Sequence, residues 1–210
     1  MPMSQEPDLM ASLVDVAFDL QGQAVPRDHA VALQQAVAAK LGWWDSEPAA
    51  GIHPLKLVAG TDVNGPGLLS RRSRLLLRIP RERLAQALSL AGTVLALGEF
   101  RVRIGQGHVR ELLAHATLYA HHVFSPDGDE VSFMQSSNQE LEQMGVRFLS
   151  VCGKNHSYRL GGRDLSAFSL MLHGLSPVDS LRIQEQGLGP HRQWGCGLFV
   201  PHKSAAAVGA

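Results

Sequence analysis

The chain has 210 residues, of which 45% are hydrophobic and 18% are charged, so intrinsic disorder is excluded as its main state. Its 19 basic residues are balanced by 19 acidic ones, and therefore no net charge draws the whole molecule to a polyanion or an anionic membrane. The most apolar stretch, 84–97, is too short to span a bilayer, and 2 cysteines are too few for a disulfide framework or a cysteine zinc site. We expect a cytoplasmic globular protein without membrane contact.

Hydrophobic periodicity predicts the order strand, helix, strand, strand, helix, strand in the first half of the chain. The first strand alternates apolar residues with Asp15 and Asp19, and the first helix follows Pro26 and ends before Gly42. In chain order the predicted elements are a strand at 13–20, a helix at 27–41, a strand at 51–58, a loop at 60–67, a strand at 72–79, a helix at 80–91 and a strand or hairpin at 95–104.

The second half repeats this order, with Ser176 and Pro177 indicating the start of its second helix. Two successive β-α-β-β-α-β units predict an α+β protein with two tandem ferredoxin-like domains, at 12–106 and 112–204, and flexible tails at 1–11 and 205–210. The predicted elements are a strand at 116–124, a helix at 130–144, a strand or hairpin at 146–160, a turn at 161–162, a strand at 165–175, a helix at 177–186 and a strand at 197–200.

The balanced net charge conceals blocks of opposite sign. Residues 51–110 contain ten basic and three acidic residues, whereas residues 1–50 contain two basic and seven acidic ones. Most of the basic excess is arginine, whose guanidinium binds a phosphate through two parallel hydrogen bonds. The block predicts a phosphate-binding surface, and the alternative is a solvated face of a strand and a helix. The charge is concentrated in Arg71, Arg72 and Arg74, which we single out, followed by Arg78, Arg81 and Arg83.

A glycine-rich segment lies between the last predicted helix and the last predicted strand. Glycine permits positive φ and a close approach of the backbone, so the amides of such a loop can face a phosphate while an arginine supplies charge. The segment is not a dinucleotide fingerprint, because it follows a helix and precedes a strand. A plain glycine-rich turn is the alternative. The candidate binding residues are Gly187, Gly189, His191, Arg192, Gly195 and Gly197.

These glycines and residues 198–204, with 169–175 and 179–181, resemble the CRISPR-associated endoribonucleases that cut precursor CRISPR RNA within its repeats. The likeness covers nearly the whole chain and is strongest at 152–204. It implies a pair of ferredoxin-like domains, a glycine-rich loop that contacts RNA, and metal-independent cleavage that leaves a 2′,3′-cyclic phosphate. We expect no metal and no cofactor, and we add Lys154 and Lys203 to the predicted RNA contacts.

Cleavage of this kind needs a base for the ribose 2′-hydroxyl, an acid for the leaving 5′ oxygen and positive charge on the phosphate. Histidine is the economical base at neutral pH. The family commonly places its catalytic histidine in or just after the first helix, so His29 is our first candidate and His53 the second. We expect His115, His121 and His122, on one strand, to be packed or solvent-facing. Candidates for the acid or the charge are Ser70, Arg71 and Arg72, or residues 154–157.

The sequence therefore predicts an endoribonuclease that generates guide RNAs and stays bound to the CRISPR repeat hairpin within a complex of other CRISPR subunits. A non-catalytic RNA-binding subunit of such a complex is the alternative, since it would keep the arginines and the glycine-rich loop but need no histidine base. An unrelated ferredoxin-like metabolic enzyme is a third interpretation, and the lack of a metal-ligand or cofactor motif in the sequence disfavours it.

Overall fold

A computed structural model describes residues 10–58, 65–160 and 163–202. Most of the two predicted tails, most of the predicted loop at 60–67, the turn at 161–162 and Lys203 lie outside the described residues. Of the tails, Met10 and Ala11 are described, and Ala11 is buried in a small apolar cluster with Leu13, Leu112 and Leu181.

The first unit is built on a five-stranded antiparallel sheet. Its elements are β1 (Leu13–Gln21), β2 (Ala24–Val25), α1 (Ala30–Ala38), β3 (Gly51–Ile52), β4 (Gly67–Leu68), β5 (Arg74–Pro80), α2 (Leu84–Leu88), β6 (Val94–Leu97) and β7 (Phe100–Glu111). The strand order is β3-β5-β1-β7-β6, and β2 with β4 forms a separate two-stranded sheet. Alternate residues of β1, namely Val14, Val16 and Phe18, pack with α1 and α2 in one core.

The second unit is a four-stranded antiparallel sheet with the order β11-β8-β10-β9. Its elements are β8 (Thr117–Ser125), α3 (Glu130–Gln143), β9 (Leu149–Leu160), β10 (Arg163–His173), α4 (Pro177–Gln186) and β11 (Phe199–Pro201). Both helices begin with a side-chain cap: the Asp129 carboxylate accepts from the amide of Ser132 at 2.8 Å, and the Ser176 hydroxyl accepts from that of Asp179 at 3.1 Å. Phe133 and Ile183 bring the helices into the second core.

Strand β1 is buried on both faces over Leu13–Phe18, which a sheet with one solvated face would not allow. The helices cover the face of Val14 and Val16. On the other face, Asp15 lies directly opposite Arg78 of β5, and Arg78 donates to backbone carbonyls of α4 and β11. The helix-free face of the first sheet is therefore the surface on which the second unit docks.

The predicted α+β class and the predicted order of elements are present, with differences at particular positions. The strand expected at 51–58 is limited to Gly51–Ile52, because Pro54 lacks the amide hydrogen that a continued ladder needs. The helix expected at 80–91 is a 3₁₀ turn at Arg81–Arg83 followed by the short α2. Residues 149–160 form one strand, and β6 with β7 forms the hairpin. No helix among the described residues combines the length and the apolarity needed to cross a membrane.

Candidate active site

A cleft of about 170 Å³ opens between the two units. The first unit contributes His29 and the segment from Ile52 to Leu55, and the second contributes His122, Gln193 and Trp194. Both histidines that the sequence singled out line this cleft, together with a third that it had set aside. Three imidazoles in one concave site provide the groups that general acid-base chemistry requires.

His29 occupies the cap position of α1, yet its side chain makes no capping hydrogen bond. Its Nδ1 lies 3.0 Å from the carbonyl oxygen of Arg27. Because a carbonyl only accepts, that contact assigns the proton of the neutral ring to Nδ1 and leaves the lone pair on Nε2. Burial lowers the pKa of His29 from its ordinary 6.5. Hydrogen bonds to the backbone and the charge of Asp28 raise this pKa, but burial has the larger effect. The lowered pKa favours the neutral form of this half-buried ring.

His53 is largely buried, with 7% of its surface exposed, and where it lines the cleft its ring belongs to a network of charged side chains. Its Nε2 lies 3.5 Å from the Asp15 carboxylate, and the contact lacks hydrogen-bond geometry. The same carboxylate receives two hydrogen bonds from Arg78, of 2.8 Å from Nε and 2.9 Å from Nη2. Burial lowers the pKa of His53, and the positive charges of Arg78 and Arg192 lower it further. The Asp15 carboxylate acts in the opposite direction and raises it. The His53 ring thus lies beside one carboxylate and within the electrostatic influence of two buried guanidinium groups.

A second and larger cleft, of about 490 Å³, lies on the other side of His53. Lys56, Arg72, Arg74 and Arg110 line it, against Glu111 and Asp15. Arg74 is committed in part to Asp19, with Nε 2.8 Å from the carboxylate, whereas Arg72 is exposed. Arg71, also exposed, lies in the turn before β5 but does not line this cleft. The predicted basic block thus places at least Arg72 and Arg74 on one concave surface.

The glycine-rich segment folds back on the protein. The Gly189 amide donates to the Glu140 carboxylate at 3.0 Å. Arg192 is buried; its Nη1 donates to the carbonyl of Glu185 at 2.7 Å, and among the described residues Nε and Nη2 have no acceptor within hydrogen-bond reach. Burial, aided by the charge of Arg78, lowers the pKa of Arg192 to about 10. The Arg192 guanidinium therefore points into the interior between the units.

The same segment joins the second unit to the first. A 3₁₀ turn at Arg192–Trp194 presents the Gln193 amide, whose Nε2 donates to the Trp44 carbonyl at 2.8 Å. Gly195, with φ 92°, packs so closely that an added Cβ would lie 3.1 Å from Cγ of Pro54. These contacts fix the distance between the two walls of the cleft.

An aromatic stack completes the second-unit side of the site. His191 has φ 72°, unusual outside glycine, and its ring stacks on Trp194 at 4.7 Å between centroids. Its other edge meets Phe124 at 4.9 Å. Trp194 in turn lines the cleft beside His29. A base can stack on such a ring, a contribution of about 1–3 kcal/mol per base.

Other predicted residues lie away from this cleft. Lys154, on β9, is exposed, and its amide donates to the Ser169 hydroxyl at 3.0 Å. His115 is exposed as expected, and its amide donates to Ser180.

Among the described residues, no three His, Cys, Asp or Glu side chains form a group that could hold a metal ion. Sequence reasoning missed His122 and the Asp15–Arg78 pair, since their partners come from distant parts of the chain.

Comparison with known proteins gives concordant matches. The family model described as "Cas6 Crispr" matches residues 14–204. A CRISPR-associated endonuclease Cas6 from Myxococcus xanthus is 35% identical over 196 residues, which are 93% of this chain and 84% of that protein.

Solved structures share the fold at low identity. A Cas6-related protein from Pyrococcus furiosus superposes with a TM-score of 0.66 at 12% identity, covering 90% of this chain and 98% of its own. The endoribonuclease Cse3 bound to a 19-nucleotide RNA superposes with a TM-score of 0.52 at 12% identity, covering 89% and 98%.

Proposed function

Because this chain belongs to the Cas6 family of CRISPR-associated endoribonucleases, we propose that it cleaves precursor CRISPR RNA within the repeats to generate guide RNAs. The observation that carries the proposal is the cleft between the units, where His29 faces aromatic and imidazole side chains of the second unit. The Myxococcus xanthus relative is a CRISPR-associated endonuclease, and Cse3 is described with RNA bound. We propose further that the protein keeps the product hairpin and works beside other CRISPR subunits.

The proposed reaction is attack of the ribose 2′-hydroxyl on the adjacent phosphorus, without a metal ion. The 2′ oxygen forms a bond to phosphorus, the bond from phosphorus to the 5′ oxygen breaks, and a 2′,3′-cyclic phosphate remains. His29 is the proposed base, since its Nδ1–H is committed to the Arg27 carbonyl and Nε2 can accept the 2′-hydroxyl proton. His53 is the second candidate; its enclosure beside Asp15 and Arg78 favours a role in fixing the wall of the cleft.

The proposed RNA path runs along the basic cleft towards His29. Lys56, Arg72, Arg74 and Arg110 offer cations to the phosphates there, and His53 with Pro54 lines both clefts and connects them. We also keep as proposed contacts Arg71, Lys154, Lys203 and the glycine-rich loop residues Gly187, Gly189, His191, Arg192, Gly195 and Gly197. Of these, His191 and the neighbouring Trp194 present rings for stacking, and the glycines shape the loop that carries them.

We propose that each unit is a ferredoxin-like domain, with the bounds expected from the sequence, 12–106 and 112–204, except that the first extends through β7 to Glu111. The support is the strand order, in which the first and third major strands are central in each sheet: β1 and β5 in the first, β8 and β10 in the second. Helices follow the first and third major strands in each unit, as in β-α-β-β-α-β. The hairpin strand β6 is an addition at the edge of the first sheet.

The test is cleavage of the repeat RNA from the neighbouring CRISPR array, under single turnover and in excess chelator. Wild-type protein should cut at one position and leave a 2′,3′-cyclic phosphate. His29→Ala should bind the repeat with near-native affinity and cut about 10²- to 10⁴-fold more slowly. Binding of the repeat without cutting by the wild type would favour the non-catalytic subunit. Cutting abolished by His53→Ala but retained by His29→Ala would move the base to His53.

A further inference from the structure

Strand β8 is irregular at His121 and His122. Its neighbours Ala120 and Val123 pair with Leu170 and Phe168 of β10, so two residues of β8 oppose one residue, Ser169. Such a bulge interrupts the alternation of side chains and re-aims one of them. The two adjacent histidines therefore do not simply point to opposite faces, as an ordinary strand would require.

The opposite neighbour of β10 is irregular at the same level. Asn155 and Cys152 of β9 pair with Phe168 and Leu170, so Gly153 and Lys154 also oppose Ser169. The Ser169 hydroxyl accepts from the Lys154 amide at 3.0 Å. Ser169 therefore lies between two bulges, one in β8 and one in β9. Together they distort the sheet at the position where His122 lines the cleft.

His122 is placed by this distortion against two different neighbours. Its ring meets the edge of the His156 ring at 5.1 Å between centroids, with the planes at 84°. It also lines the cleft that holds His29, so both units contribute imidazoles to the same cavity. The amide of Gly197 donates to the His122 carbonyl at 2.7 Å, which ties this part of β8 to the glycine-rich loop.

We propose that His122 is the second catalytic residue, which protonates the leaving 5′ oxygen while His29 removes the proton from the 2′-hydroxyl. This assignment rests on the proposed ribonuclease function. The step balances: the 2′-hydroxyl proton goes to Nε2 of His29, the bond from phosphorus to the 5′ oxygen breaks, and the proton of the His122 imidazolium completes the new 5′-hydroxyl. No oxidant, reductant or metal ion enters the step, and solvent resets both rings.

The surroundings of His122 favour its neutral form in the free protein, so its action as an acid requires that bound RNA favour the imidazolium. His121 and His156 face it from the second unit, with Lys154 beside His156, and Arg27, Asp28 and His29 line the cleft from the first unit. In the free protein, burial and then the charges of His156, His121 and His29 lower the pKa of His122 to about 4. A phosphodiester bound between the two rings would add a nearby negative charge and favour the imidazolium.

The decisive experiment changes the leaving group. A repeat RNA with sulfur in place of the scissile 5′ oxygen releases a thiolate, which needs no proton. Wild type, His122→Ala, His29→Ala and a control, His108→Ala, which removes an exposed histidine of β7, are compared on the oxygen and sulfur substrates. The cleavage site is first mapped with the wild type.

On the oxygen substrate, His122→Ala and His29→Ala should each be slower than wild type by about 10²- to 10⁴-fold, and His108→Ala should match wild type. On the sulfur substrate, His122→Ala should return to within about tenfold of wild type, whereas His29→Ala should stay slow. His122→Asn, which keeps a similar volume, should behave as His122→Ala does, and both should bind a 2′-deoxy repeat like wild type.

Two results would overturn the assignment alone: cleavage by His122→Ala at the wild-type rate, or an equal defect on both substrates. Rescue of His29→Ala instead of His122→Ala would reverse the two roles and overturn it as well. Absence of cleavage by the wild type would overturn the proposed function, and with it this assignment.

Discussion

Arg78 and Asp15 face each other across β5 and β1 and form a buried pair with two hydrogen bonds, Nε to Oδ1 at 2.8 Å and Nη2 to Oδ2 at 2.9 Å. The remaining nitrogen of Arg78, Nη1, donates to the carbonyls of Gln184 and Phe199 in the second unit, at 3.0 and 2.8 Å. One fully buried guanidinium thus satisfies acceptors from both units. The pair holds together the two walls between which the cleft forms.

The first prediction concerns this pair. Asp15→Asn should lower the free energy of unfolding by about 3–5 kcal/mol, because it leaves Arg78 charged, buried and without its carboxylate. Asp19→Asn is the matched control on the same strand; its partner Arg74 is partly exposed, so the loss should stay below about 1 kcal/mol. Chemical denaturation of both variants measures the difference, and equal losses would contradict the role given to Asp15.

The first prediction extends to the pH dependence of stability, which the same pair controls. Burial raises the pKa of Asp15, but the nearby His53 ring and the hydrogen bonds and positive charge of Arg78 outweigh it and hold this pKa well below its ordinary 3.8. A carboxylate whose pKa is lowered by folding stabilises the protein above its unfolded-state pKa, and that stabilisation is lost as the pH falls below about 4. Asp15→Asn should remove this part of the acid sensitivity, which denaturation at pH 3 and pH 6 would detect.

The glycine-rich loop supplies the second prediction. Gly189 and Gly197 have φ values of 68° and 67°, but a Cβ at Gly189 would meet nothing within 4 Å, whereas one at Gly197 would overlap the carbonyl of Leu188. Gly189→Ala should therefore lower the free energy of unfolding by about 1–2 kcal/mol, the cost of placing a side chain in the left-handed conformation. Gly197→Ala should lower it by about 2–5 kcal/mol, because overpacking adds to the same conformational cost. Thermal denaturation of the two variants tests this, and equal melting temperatures would show that the loop relaxes freely.

Sequence patterns predicted the order of the elements because each sheet packs helices against one face, which produces regular apolar alternation. Asp15 shows where that reasoning ends: as a charged residue in an alternating strand it should face solvent, yet the second unit buries it. Counting charges along the sequence likewise includes arginines that the fold commits to partners within the protein. Arg78 lies in the basic block by sequence, but its guanidinium is buried and hydrogen-bonded to Asp15. Arg81 is paired with Glu111.

The candidate site was partly predictable. His29 and His53 were found through a family resemblance, and the structure places both in one cleft. His122 was set aside because side chains alternate along an ideal strand. The bulge opposite Ser169 breaks that alternation, and it depends on pairing with β10, about 50 residues later in the chain. A strand's own sequence does not report the register of its neighbours.

The third prediction concerns the basic cleft. Changing Lys56 and Arg72 to Gln should weaken binding of the repeat hairpin and reduce the slope of log affinity against log salt by roughly 0.7–0.9 per phosphate contact removed. The control changes two other exposed cations, Arg101 and Arg103 of β7, which lie outside the cleft. That double variant should keep the wild-type slope. Equal changes of slope in the two variants would place the RNA elsewhere.

The last prediction concerns the pH dependence of cleavage. With the 5′-sulfur substrate no acid is needed, so at sub-saturating RNA the rate constant reports the base of the free protein. Burial lowers the pKa of His29, so the active neutral ring persists to lower pH, and the rate should rise with pH to a plateau with its midpoint below 6.5. Because the charge of Asp28 raises this pKa, Asp28→Asn should move the midpoint lower still. A midpoint above 6.5, or one that Asp28→Asn leaves unmoved, would mean that His29 is not the group that accepts the proton.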